Sequence, residues 1–434
     1  MRVERTEWDG RDAAAQARAL RATVPAPEEV ADTVTGILAE VADRGDEALR
    51  ELSARLDGVE SVPDSLRVTP EDLARASEEV PDDLREAMEL AAANIRAVAE
   101  AELAASSPVE VVLPGGQRVE VTESPVGAAG IYAPGGRAAY PSSVLMCCVP
   151  ARVAGVERIA LASPPDRDGG VNPAVLAACA VAGVEEVHAI GGAQAVGAFA
   201  LGTESIAAVD VVAGPGNRYV VEAKRLVSAR VGTDGIAGPS ELVVAADGSA
   251  DPAWVALDVC AQAEHGPDGL LVVISADDGL LDRVASGVGE LASERPSVSD
   301  ATAALVGAPD LDAALGLADA LAPEHLELQL DGVSEATGRE RVAGCVFLGS
   351  SAGTAFGDYA AGSNHVLPTG GAARFGGPLG PRTFMRRTSV VSVPPGAASA
   401  LAPAVGALAR AEGFPVHGES AEARAGDNGR GAKT

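Results

Sequence analysis

Two successive series of short apolar runs, separated by alanine-rich stretches, dominate the middle of this 434-residue chain. The first series comprises residues 126–133, 158–162, 186–190 and 209–213. The second series comprises residues 241–245, 270–274, 303–306, 326–330 and 345–348. Strands that alternate with helices along the chain form parallel sheets covered by helices. The sequence therefore predicts an α/β protein with two Rossmann-like parallel-sheet domains.

The region before the first series is predicted to be mainly helical. Residues 25–29 are typical of a helix start, and residues 30–52 carry apolar side chains at helical spacing. Thr69 is a predicted N-cap, because Pro70 and two acidic residues follow it. A further helix is predicted to end near Leu103. A turn at residues 114–116 then separates two short strand-like pieces.

Four regions are predicted from these changes in pattern. They are a helical N-terminal region packed on the second α/β unit (1–125), two Rossmann-like domains (126–238 and 239–378) and a small C-terminal dimerisation segment (379–434). A helix is predicted from Ala398 to Ala411. From Gly418 onward, glycine, alanine and charged residues predict a disordered tail.

The charge of the chain restricts its partners. The formal net charge is −29, with 62 acidic residues against 33 lysines and arginines. Such a surface repels nucleic acid and anionic membranes. The first residues show no apolar signal region, and no run approaches the roughly eighteen apolar residues of a membrane span. A cytoplasmic protein is therefore expected, and its five scattered cysteines predict no disulfide framework.

The histidines stand in polar motifs, which are the main chemical signal. Gln262 and His265 lie three residues apart on a predicted helix that starts near Asp251, so they would share one face and could ligate a metal. Glu324 and His325 are adjacent before a strand-like run, an arrangement suited to proton transfer. Each pair also has a structural explanation, as surface or helix-end residues.

Two more histidine motifs lie near the end of the chain. Residues 357–369 form a glycine-punctuated loop in which Asp358 could ligate a metal and His365 could bind substrate. An ordinary turn explains this loop equally well. His417 follows Glu412 by five residues in a region where a histidine is normally solvated.

Two glycine-rich turns follow predicted strands, at residues 130–136 and 214–217. Neither opens a helix as the GxGxxG fingerprint does, so neither alone predicts dinucleotide binding. Their position after strands nevertheless agrees with ligand binding at the carboxyl ends of a parallel sheet.

Taken in order, these motifs resemble the histidinol dehydrogenase family. The matching segments are 131–136, 141–146, 191–195, 202–205, 214–217, 237–241, 261–267, 323–326 and 357–369. The first hundred residues match in character only. One departure is Gly235, where the family usually has a larger apolar residue, which puts the placement of the Ser240 loop in question.

The resemblance implies an oxidation of L-histidinol through L-histidinal to L-histidine, in histidine biosynthesis, with two NAD⁺ reduced. The implied ligands of one Zn²⁺ per subunit are Gln262, His265, Asp358 and His417. The implied acid/base pair is Glu324 and His325. The implied NAD contacts are Tyr132, Gln194 and Asn217.

The implied substrate contacts are Ser240, His365 and Glu412, together with His325 and the four zinc ligands. His417 would reach the site of a partner subunit, which implies a homodimer. A paralogue that oxidises another vicinal alcohol, such as a sulfonated diol, is the nearest alternative. A zinc hydrolase and a metal-stabilised protein without enzymatic activity are more distant ones. An aldehyde dehydrogenase with Cys260 as nucleophile is not favoured, since Cys260 and Gln262 do not share a helix face.

Overall fold

The computed structural model describes residues 1–24, 30–60, 62–105, 108–135, 139–298 and 300–425. Its strands are β1 (Arg2–Glu7), β2 (Val109–Val112), β3 (Arg118–Pro125), β4 (Ala128–Tyr132), β5 (Arg158–Ser163), β6 (Glu186–Ala189), β7 (Val211–Ala213), β8 (Gly232–Thr233), β9 (Glu241–Ala246), β10 (Leu270–Ser275), β11 (Thr302–Gly307), β12 (His325–Gln329), β13 (Cys345–Leu348) and β14 (Met385–Ser392).

The helices connect these strands and cover their faces. They are α1 (Ala13–Arg21), α2 (Ala31–Leu52), α3 (Pro70–Glu79), α4 (Asp82–Ala104), α5 (Pro141–Ala154), α6 (Pro173–Ala182), α7 (Gly192–Leu201), α8 (Arg218–Val227), α9 (Pro252–Ala263), α10 (Asp278–Glu294), α11 (Leu311–Leu321), α12 (Glu335–Arg339), α13 (Thr354–Tyr359), α14 (Pro395–Ala411) and α15 (Pro415–Ala425). Within the described residues, no helix has the length and apolarity needed to span a bilayer.

Two parallel sheets form the centre of the larger unit, which comprises residues 1–103 and 126–384. The first sheet has the strand order β6-β5-β4-β7-β8, and the second has the order β1-β11-β10-β9-β12-β13. All neighbouring strands in both sheets are parallel. The prediction of an α/β fold with two parallel sheets is confirmed.

Apolar side chains from both faces of the second sheet are buried under helices. Leu242 and Val244 on β9 join a core with α9 and α10, whereas Val243 and Ala245 join a core with α11. Successive residues of a strand point to opposite faces, so a strand covered on both sides must be apolar throughout. This requirement explains why the strand runs are continuous in the sequence.

The N-terminal region divides between the two sheets, contrary to the prediction that it packs on the second. Val34, Ile37 and Leu49 of α2 join the core of the first sheet. Ala17 of α1 joins the core of the second sheet, and β1 forms an edge strand of that sheet. An apolar helical face specifies that a helix is buried but not which sheet it covers.

Local predictions for this region have mixed outcomes. The Thr69 side chain accepts a hydrogen bond from the Asp72 N–H, which confirms the N-cap. The helix predicted to end near Leu103 ends at Ala104. The helix start predicted at residues 25–29 lies outside the described residues. Strand β1 was missed because its residues are mostly polar and exposed, as an edge strand permits.

The smaller unit comprises residues 104–125 and 385–434. Its antiparallel sheet has the order β14-β3-β2, and the predicted turn at residues 114–116 joins β2 to β3. The tail predicted to be disordered from Gly418 is instead helical as far as Ala425. Gly418 is buried against Gly406 of α14, so the small residues that suggested disorder allow two helices to approach closely.

Candidate active site

A cleft of about 1540 Å³ in the larger unit is lined by residues at the ends of strands from both parallel sheets. Pockets for single small molecules are usually about 300–1,000 Å³, so this cleft has room for a dinucleotide and a small substrate. Nine of the twelve predicted site residues line it: Tyr132, Gln194, Asn217, Ser240, His265, Glu324, His325, Asp358 and His365. Gln262, Glu412 and His417 are not among the lining residues.

The two sheets present opposite ends to the cleft. Tyr132 is the last residue of β4, so the first sheet contributes its carboxyl end, as the glycine-rich turns predicted. His325 is the first residue of β12, and Ser240 directly precedes β9. The second sheet therefore contributes its amino end, which the sequence motifs did not indicate.

His325 contacts a backbone carbonyl of the neighbouring strand and two carboxylates. Its ring Nδ1 lies 3.1 Å from the Glu241 carbonyl oxygen, so Nδ1–H is the donor there and Nε2 is the nitrogen that can gain or lose a proton. Nε2 lies 3.5 Å from Asp358 Oδ1, and Glu324 Oε2 lies 3.5 Å from Nδ1. Burial lowers the pKa of His325, but the charges of Glu324 and Asp358 outweigh burial and raise it well above its ordinary value.

Glu324 is oriented by a buried partner, Glu241. The Glu241 N–H donates to Glu324 Oε2 at 2.8 Å, and the Glu324 N–H donates to Glu241 Oε2 at 3.2 Å. Arg21 of α1 pairs with the Glu241 carboxylate, with Nη1 at 2.5 Å from Oε1. The arginine compensates the buried charge of Glu241, so an N-terminal helix supports the acid/base pair.

Asp358 lies at the centre of three imidazoles. His325 donates a hydrogen bond to its carboxylate, and His325, His365 and His265 all act electrostatically on it. Burial raises the pKa of Asp358, yet these neighbours together hold it below its ordinary value. The His365 Nδ1–H donates to the Asp358 carbonyl oxygen at 2.8 Å. Asp358 is therefore an anion at neutral pH and available to a cation.

Gln262 and His265 lie at the end of α9. The helix starts near Asp251, as predicted, with Asp251 as its N-cap, but α9 ends at Ala263, so His265 lies in the turn beyond it rather than on the helix. The chain leaves the helix there because Gly266 adopts a φ of +138°. Gln262 is 2% exposed, and its Nε2 atom has no hydrogen-bond partner among the described residues.

The buried, unpaired amide of Gln262 is suited to bind a metal ion. Because carboxamide oxygen and nitrogen are interchanged by a flip, Gln262 can present an unpaired oxygen. Oxygen and imidazole donors suit zinc. No group of three histidine, cysteine, aspartate or glutamate residues within the described ranges forms a metal cluster. The predicted set differs from such a cluster, since it includes an amide and a histidine of the smaller unit.

Glu412 and His417 belong to the smaller unit and are exposed there. Glu412 follows α14, and His417 lies in the first turn of α15. The His417 ring lies 5.5 Å from the Phe414 ring, centroid to centroid. Both side chains are therefore accessible, Glu412 at the end of α14 and His417 at the start of α15.

Tyr132, Gln194 and Asp57 form a second polar group that lines the cleft. The Tyr132 hydroxyl accepts from the Gly192 N–H at 3.1 Å, and burial raises the pKa of Tyr132 to about 12. Gln194 Nε2 donates to Asp57 Oδ2 at 3.1 Å, while its buried Oε1 has no partner in the part of the chain that the structure describes. Burial raises the pKa of Asp57 to about 6. An unpaired amide oxygen here fits a ligand that donates hydrogen bonds, such as a ribose or an amide.

The glycine turn after β7 is fixed by an ion pair. Buried Lys224 donates to Asp234 Oδ1 at 2.6 Å and to the Gly214 carbonyl oxygen at 3.0 Å. The Gly214 N–H donates to Asp234 Oδ2 at 2.8 Å. A Cβ at Gly214 would lie 2.1 Å from the Tyr132 carbonyl oxygen, so glycine is required. Asn217 ends the turn and caps α8 by accepting from the Tyr219 N–H at 3.0 Å.

Comparison with known proteins identifies the family. The model of the family described as histidinol dehydrogenase matches residues 21–425. The chain belongs to the histidinol dehydrogenase family. It is 45% identical over 402 residues to the histidinol dehydrogenase of Ruegeria pomeroyi, covering 91% of this chain and 92% of that protein. It is 46% identical to the enzyme of Moorella thermoacetica, covering 92% and 95%.

A solved structure supports the same assignment. Histidinol dehydrogenase from Elizabethkingia anophelis matches with a TM-score of 0.88 and 30% identity, covering 98% of each chain. The predicted family and its activity class, an oxidoreductase of histidine biosynthesis, are confirmed. The roles of single residues, the zinc, the NAD and the partner subunit stay predictions.

In this member of the histidinol dehydrogenase family, the local structure explains two features of the sequence, Gly235 and Cys260. Gly235, the departure from the family pattern, adopts a φ of +136°, which a larger residue would adopt only with strain. Cys260 is buried, and burial raises the pKa of its thiol. A thiol that is protonated at neutral pH is a poor nucleophile, in agreement with a packing role.

Sequence reasoning missed several residues that support the site. Asp57 and Arg21 stand in helical segments with no polar motif around them, so nothing in the sequence distinguishes them. Ser143 lies in a segment that resembles the family, and its Oγ is 3.3 Å from His365 Nε2. Lys224 was the best available signal, because it is one of only two lysines in the chain.

Proposed function

We propose that this chain oxidises L-histidinol through L-histidinal to L-histidine and reduces two NAD⁺. The observation that carries the proposal is the position of His325 between Glu324 and Asp358, in a cleft with room for both substrates. The nearest alternative remains a family paralogue that acts on another vicinal alcohol.

The predicted binding residues suit the zinc ion and the NAD that this oxidation needs. Gln262, His265 and Asp358, with His417 of a partner subunit, would hold one Zn²⁺, and Tyr132, Gln194 and Asn217 would contact NAD. When bound, Zn²⁺ orients and polarises the amino alcohol, and NAD⁺ accepts hydride from the carbon that is oxidised. The orphaned amides of Gln262 and Gln194 support these assignments.

In the first oxidation, His325 removes the hydroxyl proton. Its Nδ1–H is committed to the Glu241 carbonyl, so Nε2 is the atom that receives the proton. Two flanking carboxylates stabilise the imidazolium that results. A cation next to Asp358 would offset one of these carboxylates, which would bring the pKa of His325 back toward neutrality.

In the second oxidation, Glu324 accepts a proton from the water that hydrates the aldehyde. Its Oε2 already accepts the Glu241 N–H, and its pairing with Glu241 holds the carboxylate beside His325. His325 releases the proton of the first oxidation to solvent and then removes a hydroxyl proton from the hydrate, as in the first step. One pair of residues therefore serves both oxidations, provided that the aldehyde stays in the cleft.

The remaining predicted contacts would recognise the substrate. Ser240 and His365 line the cleft beside the acid/base pair, and burial lowers the pKa of His365, which keeps its ring neutral. A neutral imidazole accepts or donates a hydrogen bond to the imidazole of histidinol without repelling its ammonium group. Glu412 of the smaller unit would supply a negative charge to that ammonium.

We propose a homodimer in which His417 and Glu412 complete the site of the partner subunit. Both residues are exposed in the smaller unit, as residues that act on another subunit must be in one isolated chain. We place the enzyme in the cytoplasm without nucleic-acid or membrane partners, because its net charge of −29 repels anionic surfaces.

A substrate comparison tests the proposal. Zinc-loaded protein with NAD⁺ is expected to form NADH from L-histidinol at least about 100-fold faster, in kcat/KM, than from a sulfonated vicinal diol. A site built to pair an imidazole and an ammonium group leaves those partners unpaired with the diol. Absorbance of NADH under matched concentrations measures both rates.

Two other results of this assay would support the alternative functions. A preference for the diol would move the protein to the paralogue and leave the acid/base pair in place. Zinc-dependent ester or amide cleavage, with no NADH from either alcohol, would support the hydrolase.

A further inference from the structure

Two carboxyl groups that do not line the cleft face each other behind it. Glu327, the third residue of β12, is completely buried. The Asp258 side chain on α9 is hydrogen-bonded to it. Two adjacent buried carboxylates would repel strongly in a medium of low polarity, so the pair is stable only if it retains one proton.

The hydrogen bonds place that proton on Asp258. Glu327 Oε1 accepts from the Thr354 N–H at 2.9 Å and from the Thr354 hydroxyl at 3.1 Å. Glu327 Oε2 accepts from Gln329 Nε2 at 3.2 Å. Burial raises the pKa of Glu327, but these three donors favour its anion, so the shared proton lies on Asp258, whose carboxyl is the fourth donor. Burial and then the charge of Glu327 raise the pKa of Asp258 to about 8.

Each participant lies on an element that also carries a residue of the proposed site. Asp258 precedes Gln262 by one helical turn on α9. Glu327 follows His325 by two residues on β12, so both side chains are fixed by one strand. Thr354 is the first residue of α13, which carries Asp358. The pair therefore joins the three elements on which the proposed chemistry depends.

The approach of α13 to this pair depends on a glycine. A Cβ at Gly353 would lie 2.8 Å from Asp258 Oδ1, so a side chain there would have to displace the Asp258 carboxyl. The start of α13 consequently rests against Asp258, while its first residue binds Glu327.

We propose that Asp258 and Glu327 form a proton-sharing clasp that joins α9, β12 and α13 and thereby sets the spacing of Gln262, His325 and Asp358. Both are positioning residues, since neither lines the cleft. The inference rests on the proposed zinc site and identifies residues that would hold the ligands of that site in position. Outer-shell residues that fix metal ligands typically contribute about 10- to 100-fold to metal affinity, and the clasp would act through the elements that carry the ligands rather than by hydrogen bonds to them.

The clasp makes stability depend on pH. Among the described ionisable groups, Glu327 is the one whose charge acts on Asp258, and Thr354 of α13 and Gln329 of β12 are the polar groups around Glu327. The folded pKa of Asp258, about 8, exceeds its ordinary value of 3.8. The folded chain therefore holds this proton more tightly, and the contribution of Asp258 to stability declines as pH rises from about 4 to about 8.

Three variants test the clasp. Asp258→Asn supplies an N–H donor to Glu327 that does not titrate, whereas Asp258→Ala supplies none. Glu290→Gln on α10 is the matched control, because it replaces one exposed acid by an amide on a neighbouring helix. Zn²⁺ affinity is measured by chelator competition without substrate, and thermal unfolding is measured from pH 5 to pH 9.

Asp258→Asn is expected to bind Zn²⁺ within about threefold of the unmodified protein at pH 7 and to lose less stability between pH 5 and pH 9. Asp258→Ala is expected to bind Zn²⁺ about 10- to 100-fold more weakly. Glu290→Gln is expected to match the unmodified protein in both measurements.

Equal Zn²⁺ affinity of Asp258→Ala and the unmodified protein would overturn the clasp. So would a pH profile of Asp258→Asn that parallels the unmodified one, a result that does not require Asp258→Ala to fold. Failure of the proposed function gives a different result, because the unmodified protein itself would then bind no Zn²⁺ or form no NADH from L-histidinol.

Discussion

Replacing His325 with asparagine is expected to lower kcat for L-histidinol by about 10²- to 10⁴-fold while the fold stays intact. An asparagine amide at this position can still donate to the Glu241 carbonyl, as the histidine Nδ1–H does. It has no counterpart of Nε2, so the substrate proton loses its acceptor. KM is expected to change little, since the zinc ligands stay in place.

Steady-state kinetics at saturating NAD⁺ measure the effect, with His188→Gln as the control. His188 is buried in the first sheet, where its Nε2 pairs with Glu186, and does not line the cleft. The control is expected to retain most of the activity. Added imidazole is expected to restore part of the rate of His325→Asn, because it replaces the missing base. An unchanged kcat would remove His325 from the reaction.

Mixing two inactive variants is expected to restore about one quarter of the activity if His417 acts in the partner subunit. His265→Ala and His417→Ala should each lose Zn²⁺ and nearly all activity as homodimers. In the heterodimer, one site lacks both ligands and the other has the complete set. Half of the dimers in an equal mixture are heterodimers, and half of the sites in those dimers are complete.

Differently tagged subunits, produced together and separated by both tags, allow the heterodimer to be assayed alone. Its expected specific activity is about half that of the unmodified dimer, with one Zn²⁺ per dimer. If His417 completed the site of its own chain, every site in the heterodimer would lack one ligand. No recovery of activity would then refute the intertwined homodimer.

The strands were predictable because the two parallel sheets are buried on both faces. A strand such as β10, which is buried throughout, must be apolar at every position, and that requirement leaves a continuous run in the sequence. The partition of the N-terminal helices was not predictable, because the apolar face of α2 fits either sheet equally well. Exposed strands such as β1 leave no run of this kind.

The site residues were predictable where the family motifs are contiguous, as in the Glu324-His325 pair. The structure adds residues that no local pattern connects. Arg21 reaches Glu241, and Asp258 reaches Glu327, across long stretches of chain. Such pairs follow from the tertiary fold alone. A single sequence contains no signal that would bring these residues together.

Counting NADH per histidine formed tests whether one site carries out the four-electron oxidation. Zinc-loaded protein is mixed with limiting L-histidinol and excess NAD⁺, and both products are quantified together with any free aldehyde. Two NADH per histidine are expected, with no accumulation of free histidinal. One NADH per histidinol consumed, with histidinal released as the final product, would contradict the four-electron oxidation.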